Sequence, residues 1–149
     1  MGRGDGSDEV GGVIQGRTEL SLDAKGRLSV PARYRDMLGR LCEGRLTITA
    51  HPHGCLLVFP RPAWEAFRDG QVLAAGTSSD TRRFYIGNAM DVELDGAGRV
   101  LVAPELRALA GIEKETILLG TGPRFELWDA ATLKAREDAA RRNALIEDM

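Results

Sequence analysis

Leu20-Ser21-Leu22-Asp23-Ala24-Lys25-Gly26-Arg27-Leu28-Ser29-Val30-Pro31-Ala32-Arg33-Tyr34-Arg35 has a second copy further along the chain, Val92-Glu93-Leu94-Asp95-Gly96-Ala97-Gly98-Arg99-Val100-Leu101-Val102-Ala103-Pro104-Glu105-Leu106-Arg107. Asp23 recurs as Asp95, Gly26 as Gly98, Arg27 as Arg99 and Arg35 as Arg107, each 72 positions on. The apolar positions keep the same step, with Leu20/Val92, Leu22/Leu94, Leu28/Val100 and Val30/Val102. Chance does not readily place an Asp, a Gly and two Arg in register on a matching alternation, so the chain is read first as a duplication.

Within one copy, Leu20 and Leu22 alternate with Ser21, and Leu28 and Val30 alternate with Ser29. A period of two is the pattern of a half-buried strand. Between them, Asp23 suits the first position of a type I turn, and Gly26 accepts the positive φ that closes a short hairpin with a bulge. Pro31 then opens a helix, where its missing N–H costs nothing, and Gly39 is the expected C-cap. Pro104 to Ala110 with Gly111 repeats this, so the unit is β-turn-β-α. Asp23 is expected to accept turn hydrogen bonds and pair with Arg27, leaving Lys25 at the tip. A salt-bridged turn of this kind is ordinary by itself. Two of them give two rigid basic tips at a fixed spacing, which suits a periodic polyanion.

Composition sets the bounds. A chain of 149 residues, 43% hydrophobic and 28% charged, is enough for one core or two small fused repeats. No apolar run approaches the roughly 20 residues that span a bilayer, and the N-terminus lacks the apolar core of a signal peptide. Cys42 and Cys55 do not make a disulfide framework, which points to a reducing cytoplasm. The net charge of −2 argues weakly against a generic nucleic-acid binder, but residues 1–12 carry all of it. Residues 17–45 are +3, and they contain the first turn. A basic face on a neutral body is compatible with phosphate binding.

The remaining segments fall into order around the two copies. Residues 1–12, with five Gly and three acids, read as a disordered tail. Arg45 to Ala50 and Cys55 to Phe59 read as strands, and a helix is expected from Pro62 to about Ala74 with Trp64 and Phe67 on its core face. Ser78 or Ser79 caps a short helix from Asp80 to Ile86. Glu115 to Gly120 and Arg124 to Trp128 repeat the earlier strand pair, and Asp129 caps a terminal helix whose distal part, 135–149, is expected to fray. His51, His53 and Cys55 have the spacing of a zinc corner on an extended segment, but Pro52 and Gly54 interrupt it and the second copy has no counterpart, so no metal is expected.

The doubled Asp-x-x-Gly-Arg-apolar-x-apolar unit, with Leu56-Leu57-Val58-Phe59-Pro60 and Phe125-Glu126-Leu127-Trp128-Asp129 closing the halves, resembles the MraZ family from about Ile14 to Leu133. The resemblance implies an α+β fold of two pseudo-symmetric β-turn-β-α-β-β repeats of AbrB-like swapped-hairpin type, forming a small β-barrel-like core with flanking helices. The repeats would occupy residues 17–64 and 90–134, joined by a helical connector at 65–89. It also implies a bacterial transcriptional regulator of the division and cell-wall gene cluster, assembled as a ring that binds promoter direct repeats through Asp-x-x-x-Arg. In this chain those residues are Asp23 and Arg27, and Asp95 and Arg99. The chain departs from the family pattern at Gln15, where a phosphate-binding Arg is usual, and Ala97 stands in the second turn where the first has Lys25.

The expectation is a sequence-specific DNA-binding repressor, cytoplasmic and nucleoid-associated, with double-stranded DNA and copies of itself as partners. Asp23, Lys25, Arg27, Asp95, Arg99, Arg17 and Arg33 are the candidate DNA-binding residues. No cofactor, membrane or small-molecule substrate is expected. Catalysis is disfavoured because there is no G-x-S-x-G, H-E-x-x-H or P-loop, and Pro123 spoils a phosphate cradle at Gly120-Thr121-Gly122. The alternative is a structural or protein-interaction ring in which Arg27 and Arg99 make subunit salt bridges. An antitoxin-like AbrB relative would usually carry one unit, not two.

Overall fold

Asp23 turns the chain, but the two strands it separates do not pair with each other. The computed structural model describes residues 13–143. In the first copy it has β1 (Ile14–Ser21), β2 (Arg27–Ser29), α1 (Ala32–Cys42), β3 (Arg45–Ala50) and β4 (Leu56–Pro60). Then come α2 (Arg61–Phe67), a π-helical turn (Arg68–Val72) and α3 (Ser79–Tyr85). The second copy follows with β5 (Met90–Glu93), β6 (Arg99–Leu101), α4 (Pro104–Ala110), β7 (Glu115–Gly122) and β8 (Phe125–Asp129), and α5 (Ala130–Arg142) closes the described chain.

A six-stranded antiparallel sheet runs in the order β1-β7-β8-β4-β3-β5. Each repeat therefore supplies a two-stranded hairpin, β3–β4 or β7–β8, and lends its first strand to the hairpin of the other. Buried threonines help hold the lent strands: Thr47 Oγ1 donates to Asp91 on β5 at 2.8 Å, and Thr116 Oγ1 donates to the Leu20 carbonyl on β1 at 2.8 Å. The second strands of the two units leave this sheet and pair with each other, as a short ribbon with Leu28 opposite Val100. Because β2 and β6 are drawn off in this way, the large sheet stays open, with β1 and β5 at its edges. The expected barrel-like closure is corrected accordingly; the α+β class and the doubled unit stand.

Both faces of the sheet are covered, and alternation along β4 sorts its residues between them. Leu56 and Val58 join the main core with Leu28, Val30, Leu38, Val100, Val102, Leu106 and Phe125, drawn from both repeats. Leu57 and Phe59 face the other way, under Trp64, Phe67 and Tyr85. Trp64 is thus buried in the core, and Phe67, half-buried, packs against it and stacks on Phe59 at 5.2 Å. A second patch on that face, Ile117, Trp128, Cys55 and Leu133, lies under α5.

Local signals set most boundaries. Ser78 accepts the Thr81 amide at 3.1 Å, Asp129 accepts that of Thr132 at 3.0 Å, and Gly111 closes α4 at φ 63°. Gly39 does not end α1. The helix runs to Cys42 and stops at Glu43 in the left-handed region, φ 58°, because Leu38, Cys42 and their neighbours still face the core. The helix expected from Pro62 to Ala74 instead widens into the π turn at Arg68. The tail expected at 1–12 lies outside the described residues, as does 144–149 of the 135–149 segment expected to fray, whose residues 135–142 are helical.

Because the main core takes side chains from both repeats, the halves are expected to unfold together. Leu28→Ala, at a site 2% exposed, should cost about 2–5 kcal/mol. In chemical denaturation it should shift one transition for the whole chain, and two separate transitions would show that the halves are independent.

Candidate nucleic-acid interface

The two Asp-x-x-x-Arg turns have the same geometry. Asp23 Oδ1 accepts the amides of Lys25 at 2.9 Å and Arg27 at 2.8 Å, and its Oδ2 accepts Arg27 Nε at 2.7 Å. Asp95 Oδ1 accepts the amides of Ala97 and Arg99, both at 2.9 Å, and Oδ2 accepts Arg99 Nε at 3.0 Å. Gly26 and Gly98 close the turns at φ 82° and 78°, where an L side chain is strained. Both carboxylates are thus engaged in holding the turn. Each arginine is held by Nε, which leaves the two terminal nitrogens of the fork outside that bond.

The ribbon brings these arginines together. In the β2–β6 register Arg27 is opposite Leu101 and Ser29 is opposite Arg99. Leu28 and Val100, each 2% exposed, face inward, so Arg27, Ser29, Arg99 and Leu101 share the outer face. With about 3.4 Å per residue and about 5 Å between strands, the Arg27 and Arg99 Cα atoms lie roughly 8 Å apart. Sequence periodicity placed these residues on two tips; the structure makes one ribbon of them, with an Asp-clamped arginine toward each end.

Other candidates lie elsewhere or are otherwise engaged. Lys25 is exposed on the first turn. Arg17, on β1, makes a two-pronged ion pair with Glu137 of α5, at 2.7 and 3.0 Å. Arg33 donates to Thr18 Oγ1 at 2.9 Å and lies over the Tyr34 ring at 4.5 Å. The structure therefore joins Arg27, Arg99 and Lys25, and gives Arg17 and Arg33 contacts within the chain. Of the residues considered for a metal, His51 and His53 meet edge to face at 4.6 Å between ring centres, while the Cys55 thiol is buried under α5, its pKa pushed up to about 12 by burial. Among the described residues no group of three or more His, Cys, Asp or Glu is arranged to hold a metal ion.

Two residues that the sequence paired, without a role, also reach the turns. Arg35 on α1 lies against Gly98 of the other repeat, where a Cβ would come within 2.1 Å of its Cδ. Arg107, its counterpart at the C-terminal end of α4, lies against Gly26, where a Cβ would come within 2.8 Å of the guanidinium carbon. Their shared offset of 72 was the one available sign of a common function.

A family model described as "MraZ protein, putative antitoxin-like" matches the chain twice, at residues 13–84 and 85–148. The chain belongs to the MraZ family. Among its relatives is a protein of Paraburkholderia phytofirmans, 59% identical over 128 residues, covering 86% of this chain and 90% of the relative. Others are from Variovorax paradoxus, 56% identical over 89% of this chain and 94% of the relative, and Methylibium petroleiphilum, 55% identical over 92% and 94%. All three carry the name "Transcriptional regulator MraZ", a regulator's name and not an enzyme's. The antitoxin-like wording names the class that the two full units weigh against, and the MraZ model itself matches both units. No helix among the described residues is long and apolar enough to cross a membrane.

The carboxylates give the turns a defined response to acid. The Arg27 amide, followed by the other turn donors, holds Asp23 below the usual carboxylate range, and the Arg99 amide does the same for Asp95. A depressed pKa contributes stability that is fully present above the unfolded value and is lost as pH falls through the folded one. The turns should therefore stay intact from neutral pH down to about 3.9 and loosen only below it. Following the Arg27 and Arg99 amide resonances during an acid titration checks this. Asp23→Asn should remove the step at the first turn and leave that of Asp95; a midpoint at or above the ordinary Asp value would contradict the account.

Proposed function

We propose that this protein is a sequence-specific DNA-binding transcriptional regulator, acting as a repressor on direct repeats in the promoter of the bacterial division and cell-wall gene cluster, and that it does so as a ring of identical chains. The observation that carries the reading is the outer face of the β2–β6 ribbon, where Arg27 and Arg99 stand roughly 8 Å apart, each aimed by a carboxylate. A two-stranded ribbon fits the major groove, and an arginine fork donates to the two acceptors of a guanine edge or to a phosphate. Lys25 supplies a point charge to the backbone, which fixes register without reading sequence. The names of the relatives point the same way.

Supporting this reading further, the exchange of β1 and β5 between repeats fits the AbrB-like swapped-hairpin arrangement. The repeats remain assigned to 17–64 and 90–134, with 65–89 as connector, and the site of action is the nucleoid in the cytoplasm. One ribbon on a protomer of net charge −2 binds weakly. Several ribbons on a ring, spaced to match repeated boxes, gain through effective concentration.

Arg27→Ala should reduce retention of promoter DNA in a gel shift at least about fivefold, since a bidentate arginine–guanine pair is worth about 1–3 kcal/mol of discrimination. Wild-type affinity should fall steeply as salt rises. Unchanged retention by Arg27→Ala, with the assembly intact by mass measurement, would refute the proposal.

A further inference from the structure

Each half of the ribbon is held from the opposite repeat. Val102 N–H donates to the Gly26 carbonyl, and Val30 N–H donates to the Gly98 carbonyl, both at 3.0 Å. Arg107 Nε in turn donates to the Val102 carbonyl at 2.9 Å, while its guanidinium covers the Gly26 turn. Arg35 covers the Gly98 turn and points Nη1 at the Ala97 carbonyl at 3.5 Å. Gly26 and Gly98 are both buried although the turns around them are exposed. The covering arginines lie over them.

We infer that Arg35 and Arg107 are positioning residues that act crosswise, Arg107 setting the Asp23–Arg27 turn and Arg35 setting the Asp95–Arg99 turn. The argument is geometric. A turn closed by a glycine at positive φ has little side-chain packing of its own, and a flat guanidinium laid against it removes alternative orientations. Glycine is favoured at both positions by its positive φ, and an added Cβ at either would have to displace the arginine laid over the turn. The two arms of the ribbon are thereby coupled, because each turn depends on a helix that follows the other turn in sequence. The relevance of these residues to DNA rests on the function proposed above; the positioning itself does not.

Hydrogen–deuterium exchange on the full-length protein, read by mass spectrometry, tests the positioning without DNA. Arg107→Ala should speed exchange in peptides confined to the first turn, 20–27, by about tenfold or more and affect the second turn, 92–99, clearly less, and Arg35→Ala should do the reverse. Exchange that rises in the same repeat as the substitution, in both turns equally, or in neither, overturns the inference. Arg107→Lys keeps the charge without the planar fork, so it should leave the first turn as unprotected as Ala does; full protection would overturn the geometric role. In DNA binding, Arg107→Ala should add no further loss to Arg27→Ala but its full loss to Arg99→Ala. Additive losses with both would mean that Arg107 makes its own contact, which also overturns the inference. Crosswise exchange together with undiminished DNA retention by Arg27→Ala would sink the DNA reading alone and leave the positioning in place.

Discussion

The structure depends on the fact that neither repeat completes itself. The Asp23 and Asp95 turns send β2 and β6 away from the strands that precede them, and those strands find partners only in the other half. An unpaired strand edge is a liability, and reciprocal lending covers the open edge of each hairpin. Leu28, Val30, Val100 and Val102 are all 5% exposed or less at the junction, and burying each such side chain is worth about 1.5–3 kcal/mol. The hydrophobic gain at the junction and the placement of Arg27 and Arg99 are therefore products of one arrangement. The inward residues of the ribbon hold the halves together, and the outward ones form the candidate site.

An acidic residue beside each arginine looks costly for a protein that approaches a polyanion. Magnitudes decide otherwise. Holding a loose arginine on binding costs about 0.5–1.5 kcal/mol per side chain, and Asp23 and Asp95 meet that cost in the free protein by fixing Nε and the local backbone. Their charge is spread over three donors each, and in physiological salt it is screened beyond about 8 Å. What remains at the outer face is the arginine fork. This also explains why a net charge of −2 is a poor guide to binding: the deficit sits in residues 1–12, while the ribbon carries its own cations.

Much of this was legible in the chain. The turns, the helix openings at Pro31 and Pro104, the caps at Ser78, Asp129 and Gly111, and the core roles of Trp64 and Phe67 all follow from local chemistry. The partners of the strands were not legible. Leu20-Ser21-Leu22 reads as a half-buried strand whichever neighbour it pairs with, and the Asp23 turn looks the same whether the flanking strands join or part. Gly39 was misleading because glycine marks a helix end only where the chain is free to leave, and Leu38 and Cys42 keep α1 on the core beyond it. Arg35 and Arg107 stood in register but had no visible target, since each meets a turn distant in sequence.

The two halves of the ribbon are not equivalent, and under the proposed function the difference has a use. A strictly two-fold ribbon reads the same from either end, so it suits a palindrome. A direct repeat has a direction. Here Lys25 marks one end and Ala97 the other, the covering Arg35 is exposed while Arg107 is half-buried, and α1 has 11 residues against 7 in α4. Pseudo-symmetry supplies two arginines at a fixed separation, and its imperfection supplies the polarity. A ring that places every protomer in the same sense along the DNA needs both, because repeated boxes reward avidity only if each ribbon meets its box the same way round.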